Sequence, residues 1–296
     1  MRRLIVNADD LGLTHGVNRA ILECHTGGVV SSATLMAGGA AFDNAAEMVR
    51  STPALSVGCH VVLVDGAPVL DPAAVPSLLS NVSENRGFHS RLPAFAAQAV
   101  MRQFDREQLV DEIVAQVKKV RSAGIQVTHF DTHKHTHIFP AVLEAMAAAA
   151  LICGVPAIRN PFVPGATLRM RQFAGQPSMW KRYGQVQMLR HFGRQFRERM
   201  KRVGLATPDG VIGVVETGSL DGSLLQQALE NLPAGTWELV CHPGYDDADL
   251  RAANTRLLGA RDGERRLLVS RELREFLDRE KIRVIGYREF ASGSNC

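Results

Sequence analysis

Apolar runs of strand length recur along the chain at Leu4 to Val6, Ser32 to Met36, Ser56 to Cys59, Val127 to Phe130, Ala157 to Ile158, Val211 to Val215, Leu239 to Cys241 and Val284 to Ile285. Between them lie segments with apolar residues at helical spacing and charged residues on the other face: Val17 to Cys24, Arg106 to Ser122, Phe139 to Ala149, Leu224 to Asn231 and Arg266 to Lys281. Strands alternating with amphipathic helices predict an α/β fold of mostly parallel strands, with the helices covering the sheet or barrel.

Two stretches break this rhythm. Val64 to Asp105 is rich in Pro, Gly, Ser and Asn and reads as a long excursion of the kind that supplies substrate contacts. Leu168 to Arg202 holds Arg169, Arg171, Lys181, Arg182, Arg190, Arg194, Arg197, Arg199, Lys201 and Arg202 against the single acid Glu198. The 296 residues suit one barrel domain, 1–296, with excursions at about 64–105 and 165–203.

Composition narrows the class. With 46% hydrophobic and 22% charged residues, the chain can bury a sizeable core without disulfides. A net charge of +4 with 6% aromatic residues is too little to argue for a nucleic-acid partner. Cys24, Cys59, Cys153, Cys241 and Cys296 are odd in number and lack CxxC spacing, which fits a reducing, cytoplasmic compartment. The opening MRRLIVNADD lacks the apolar core of a signal peptide. The longest apolar stretch, Ala145 to Ile158, contains Gly154 and Pro156 and is shorter than the roughly 20 residues of a membrane span.

The candidate chemistry sits at strand ends, where α/β folds build their sites. The first strand delivers Asp9 and Asp10 together. Adjacent side chains of an extended segment point opposite ways, so one carboxylate can hold a metal while the other acts as a base. A helix cap plus a solvated acid accounts for this pair equally well. Four of the ten histidines fall in Thr128-His129-Phe130-Asp131-Thr132-His133-Lys134-His135-Thr136-His137, between an apolar strand and an apolar helix. That embedding favours metal ligation over a surface histidine run, with His129 and Asp131 as outer partners of the ligands. His60 closes the strand Ser56-Val57-Gly58-Cys59-His60, and Asp10, His60 and His133 together would form a two-histidine, one-carboxylate site with open positions. His242, in Cys241-His242-Pro243-Gly244, is a candidate general acid.

The motifs NADDLG, SVGCH, THFDTHKHTH and CHPG, in this order and at these distances, resemble the YdjC-like carbohydrate deacetylases over nearly the whole chain. The resemblance implies a deformed (β/α) barrel of the polysaccharide-deacetylase type and a divalent metal held by one aspartate and two histidines. Asp10, His60 and His133 would be its ligands, Asp9 the base and His242 the acid. Arg159, in Ile158-Arg159-Asn160-Pro161, matches a family arginine at a strand end and would orient Asp9; an ordinary surface arginine is the competing reading. The stretch Leu63 to Leu70 looks like the subfamily associated with hopanoid biosynthesis, which implies an N-acetylglucosaminyl hopanoid lipid as substrate. The aromatic and arginine residues interleaved over 168–202 would then touch an anionic membrane surface, although a helix with a solvated basic face fits the same pattern.

Competing functions are deacetylation of soluble chitooligosaccharides, metal-dependent phosphoester hydrolysis, and non-catalytic sugar or lipid binding. The ligand types admit Mg or Zn first, and also Mn, Co and Ni. Homodimerisation is the general expectation for a soluble enzyme.

Overall fold

In the computed structural model of the chain, the described residues are 1–80, 87–163, 193, 195–214, 217–218, 220–253 and 255–293. Among the described residues, seven strands form one parallel sheet: β1 (Arg2–Leu11), β2 (Ser32–Leu35), β3 (Ser56–Val61), β4 (Phe130–Thr132), β5 (Gly210–Ile212), β6 (Gly235–Cys241) and β7 (Ile282–Val284). Their order is β4-β3-β2-β1-β6-β5, with β7 beside the start of β1. The first half of β1 pairs with β7 through Arg2 to Leu4, and its second half pairs with β2 from Asn7 onward.

The irregular segment 157–162 joins the two edges. On one side Phe130 N–H donates to the Ala157 carbonyl and Arg159 N–H to the Phe130 carbonyl, each at 2.9 Å. On the other, Val211 N–H donates to the Phe162 carbonyl at 3.1 Å. The sheet therefore curls into a deformed (β/α) barrel whose weakest lane carries Arg159.

Helices α1 (His15–Thr26), α2 (Phe42–Arg50), α3 (Leu92–Val100), α4 (Arg106–Ser122) and α5 (Pro140–Cys153) return the chain to the start of the next strand or support an excursion. Local signals set their ends. Thr14 caps α1 by accepting from Val17 N–H, Asp105 caps α4, and α5 runs from Pro140 to Gly154, whose φ of 59° ends it in the left-handed conformation. Later helices cover Gly222–Glu230, Gly259–Leu268, Arg271–Arg279 and Tyr287–Gly293. The single helix expected over Arg266 to Lys281 is thus two, because Ser270 stops the first and caps the second by accepting from Leu273 N–H.

The strand expected at Val127 to Phe130 is regular only from Phe130, although Thr128 N–H still reaches the Val57 carbonyl at 2.9 Å. In the first excursion, short 3₁₀ turns at Pro72–Ala74 and Pro76–Leu78 lead to α3. Most of the basic stretch 168–202 lies outside the described residues; 195–202 are helical, with Phe196 and Met200 buried. No described helix is long and apolar enough to cross a membrane.

Candidate metal and hydrolytic centre

The sequence-selected residues converge at the C-terminal ends of the strands. Asp10 Oδ1 lies 3.4 Å from His60 Nε2 and 3.3 Å from His133 Nδ1, and the two histidine nitrogens are 3.3 Å apart. Asp10 and His60 are buried, while His133 remains partly open to solvent. The two aspartates are separated by a bulge rather than by the regular pleat expected for an extended segment. The register of β1 on β2 shifts between Ala8 and Leu11, and Asp10 takes a φ of 66°. That left-handed residue turns Asp10 toward β3, while Asp9 faces the segment that closes the barrel.

Each acid has its own arginine. Arg159 grips Asp9 with both guanidinium nitrogens, Nη2 to Oδ1 at 2.6 Å and Nη1 to Oδ2 at 2.8 Å. Arg261 Nη2 reaches Asp10 Oδ2 at 2.6 Å. Burial pushes the Asp9 carboxyl up, but the Arg159 guanidinium outweighs it and holds Asp9 well below the usual carboxylate range. Burial likewise opposes charge on Asp10, and Arg261, followed by hydrogen bonds from His133 and His60, reverses the effect. Both acids are anionic at neutral pH.

His60 Nδ1 donates to Asp131 Oδ1 at 2.8 Å, which leaves Nε2 facing Asp10 and His133. Burial disfavours its charged form, yet Asp131 and the hydrogen bond to Asp10 push its pKa up to about 10. The same negative surroundings that favour a proton on His60 would favour a cation at its Nε2. One anionic oxygen and two imidazole nitrogens on a small triangle, with one imidazole fixed by an outer carboxylate, match a divalent metal by donor chemistry.

Arg159 is fully buried and serves more than Asp9. Its Nη1 also lies 2.7 Å from Asp131 Oδ2 and its Nε donates to Glu238 Oε1 at 2.8 Å. Thr34 Oγ1 donates to Asp131 Oδ2 at 2.9 Å and Asn7 Nδ2 to Asp9 Oδ1 at 2.9 Å. His242 Nε2 stands 3.9 Å from Asp9 Oδ2, its Nδ1 has no hydrogen-bond partner among the described residues, and its backbone N–H donates to Glu264 Oε2 at 2.6 Å.

The histidine run divides its members. His133 joins Asp10 and His60, and the following Lys134 and His135 both take left-handed backbone angles, so the run is a kinked turn rather than a continued strand. Lys134 Nζ is tied to Asp65 Oδ2 at 2.6 Å, linking the turn to the first excursion. His137 Nδ1 meets Thr132 Oγ1 at 2.6 Å within the turn. His129 is buried between Asn7 and Thr128 and stacks on Tyr287 at 3.6 Å between ring centroids, a packing place away from the triangle.

Sequence reasoning passed over Thr34, Glu238, Arg261 and Glu264. Glu238 carried a signal, a lone acid inside the apolar strand β6. Arg261 and Glu264 carried a weaker one, two charges three residues apart on the same face as the buried Leu268.

A curled parallel barrel with a carboxylate-histidine triangle that could hold a metal ion, a second acid locked by an arginine and a nearby histidine defines the class as an α/β-barrel protein with a candidate metal centre at its strand ends. The YdjC-like protein family model matches residues 3–279, and the chain belongs to that family. Relatives named carbohydrate deacetylase include one from Geobacillus stearothermophilus, 32% identical over 289 residues and covering 98% of both chains. Another, from Thermoanaerobacter pseudethanolicus, is 27% identical over 288 residues, covering 97% of this chain and 98% of the relative. Among solved structures, a putative cellobiose-phosphate cleavage protein from Enterococcus faecalis superposes with a TM-score of 0.76 at 24% identity, covering 97% and 98% of the two chains, a likeness of fold.

Proposed function

We propose that the protein is a divalent-metal-dependent carbohydrate deacetylase that hydrolyses the acetamide of an amino sugar. The observation that carries this reading is the sorting of two adjacent carboxylates: Asp10 is turned into the triangle with His60 and His133, while Asp9 is held by Arg159 and faces His242. The names of relatives aligned over almost the whole chain support the same class of reaction.

In this reading Asp10, His60 and His133 hold the metal, which when bound supplies a Lewis acid for the amide carbonyl and the attacking water. Asp9, ionised and fixed by Arg159, accepts the proton of the water as it attacks the acetyl carbon. Arg159 fixes the direction of that acceptor and does not itself exchange protons. As the C–N bond breaks, His242 gives a proton to the departing amine, leaving acetate and a free amino sugar. Its Nε2 lies 3.9 Å from Asp9 Oδ2, so the proposed base and acid stand side by side in the site.

The finer substrate proposed is an N-acetylglucosaminyl group on a hopanoid lipid, supported by the sequence around Leu63 to Leu70 and by the basic, aromatic stretch 168–202. Acetate release is measured from a soluble chitooligosaccharide and from acetylglucosaminyl hopanoid in detergent, with chelator and then with metal restored. Acetate from the lipid, lost with chelator and regained with metal, is the expected result. Acetate from the soluble sugar alone rejects the lipid but keeps the deacetylase. Acetate from neither, under every divalent metal tried, rejects the deacetylase.

A further inference from the structure

Asp9 and Asp10 meet their arginines unequally. Arg159 takes both oxygens of Asp9, whereas Arg261 takes Oδ2 of Asp10 and leaves Oδ1 toward His60 and His133. Arg261 is 1% exposed, its Nε donates to the Leu257 carbonyl at 3.1 Å, and its Nη1 has no hydrogen-bond partner among the described residues. Burying a guanidinium with one donor unused is costly, so the contact with Asp10 is held in place by its surroundings. Gly244 makes room for it: a Cβ there would come within 3.0 Å of Arg261 Cδ and 3.2 Å of its Cβ. The same helix, Gly259–Leu268, carries Glu264, which accepts the His242 backbone N–H at 2.6 Å. One helix thus reaches both the Asp10 carboxylate and the backbone of His242.

We propose that Arg261 tunes the metal at the Asp10, His60 and His133 site: by drawing negative charge from Asp10 it makes the cation less tightly held and more strongly electrophilic. Two effects oppose each other when Arg261 is neutralised. Releasing Asp10 Oδ2 loses orientation, but Asp is a short side chain with little rotamer freedom to recover. Removing a full buried positive charge one carboxylate away from a dication relieves a strong repulsion, because charges inside the protein are poorly screened. The second effect is the larger, so the metal is held more tightly. The same change returns negative charge to the Asp10 ligand, which weakens polarisation of the amide and lowers turnover. The inference rests on the metal-dependent deacetylase reading above.

The test measures the Zn²⁺ dissociation constant of each folded variant by competition with a chromogenic chelator, beside kcat for acetate release at saturating metal. Arg261→Gln is expected to bind Zn²⁺ about tenfold more tightly because a nearby positive charge is gone, against the loss of affinity usual for outer-partner substitutions, and to lose about tenfold in kcat. Arg261→Lys keeps the charge and is expected to hold Zn²⁺ within about threefold of the parent protein. A role in packing alone moves the two quantities together, with looser metal and slower turnover in both variants. That pattern, or an unchanged Zn²⁺ affinity in Arg261→Gln, overturns the proposal. Should Arg261→Gln not fold, Arg261→Met replaces it: it also removes the charge while keeping a long side chain, is expected to tighten Zn²⁺, and loosening overturns the proposal. Asp10→Asn is the control for the underlying reading, since wild-type Zn²⁺ affinity in that variant means the metal site lies elsewhere.

Discussion

Arg159 stands between the carboxylates of Asp9, Asp131 and Glu238, and one guanidinium does not neutralise three buried acids. Burial raises Glu238 to about 7 even though Arg159 and the Tyr287 hydroxyl favour its charged form. Glu238 therefore keeps its proton in the folded protein at pH values where the unfolded chain has released it. Between about pH 4.5 and 7 the native state binds the extra proton, so this group's contribution to stability falls as pH rises through that window and is flat above it. Glu238→Gln is expected to remove that slope, making the variant relatively more stable than the parent at pH 8 than at pH 5. The full effect is on the order of 3 kcal/mol by linkage, read by urea denaturation at the two pH values. Identical pH dependence in the two proteins would show that Glu238 is ionised throughout. Asp9 differs, because Arg159 keeps it charged under all these conditions. Asp9→Asn is expected to lower kcat by about 10²- to 10⁴-fold while leaving metal affinity near that of the parent, since Asp9 is outside the triangle. Full turnover in Asp9→Asn removes it as the base.

At the scale of elements, legibility followed the physical origin of each feature. The limits of α4 were readable because Asp105 caps its start and its apolar face is continuous. The proximity of the candidates Asp10, His60 and His133 was legible because each lies at or just after the end of an apolar strand. The bulge at Asp10 was not, because the register shift against β2 and the contact with Arg261, 251 residues away, are tertiary features that no local pattern announces. Arg261 and Glu264 stayed hidden for a related reason: a helix sequence does not say which buried partner its charged face meets. Packing between β3 and the strand after it has a sharper consequence. A Cβ at Gly58 would fall 2.6 Å from the His129 ring, which cannot retreat because it stacks on Tyr287 and bonds Asn7. Gly58→Ala is expected to destabilise the protein by about 1–3 kcal/mol, the usual range for overpacking, as a lower urea midpoint. An unchanged midpoint would show that β3 and the His129 layer separate easily.

On the scale of the whole molecule, the triangle exists only when the barrel is formed. Its three members come from the end of β1, the fifth residue of β3 and the turn after β4, positions far apart in sequence and brought together by parallel pairing. A cation bound there meets the folded chain and has no equivalent site in the unfolded one, so binding must raise stability by mass action. At a free metal concentration about 100 times the dissociation constant the gain is roughly 2.7 kcal/mol, which for a chain of this size shifts the unfolding midpoint by on the order of 5 °C. Calorimetry with Zn²⁺ before and after chelator is expected to show that shift in the parent protein and to lose it in Asp10→Asn. Asp9→Asn should retain it, because Arg159 and not the triangle holds that carboxylate. The pair of variants separates two ways in which neighbouring acids could fail. A shift preserved in Asp10→Asn would place the stabilising cation outside the triangle, and a shift lost in Asp9→Asn would mean that Asp9 and Asp10 bind it jointly. Only the combination of loss in Asp10→Asn and retention in Asp9→Asn fits a barrel that uses one bulged strand to give two adjacent carboxylates different work.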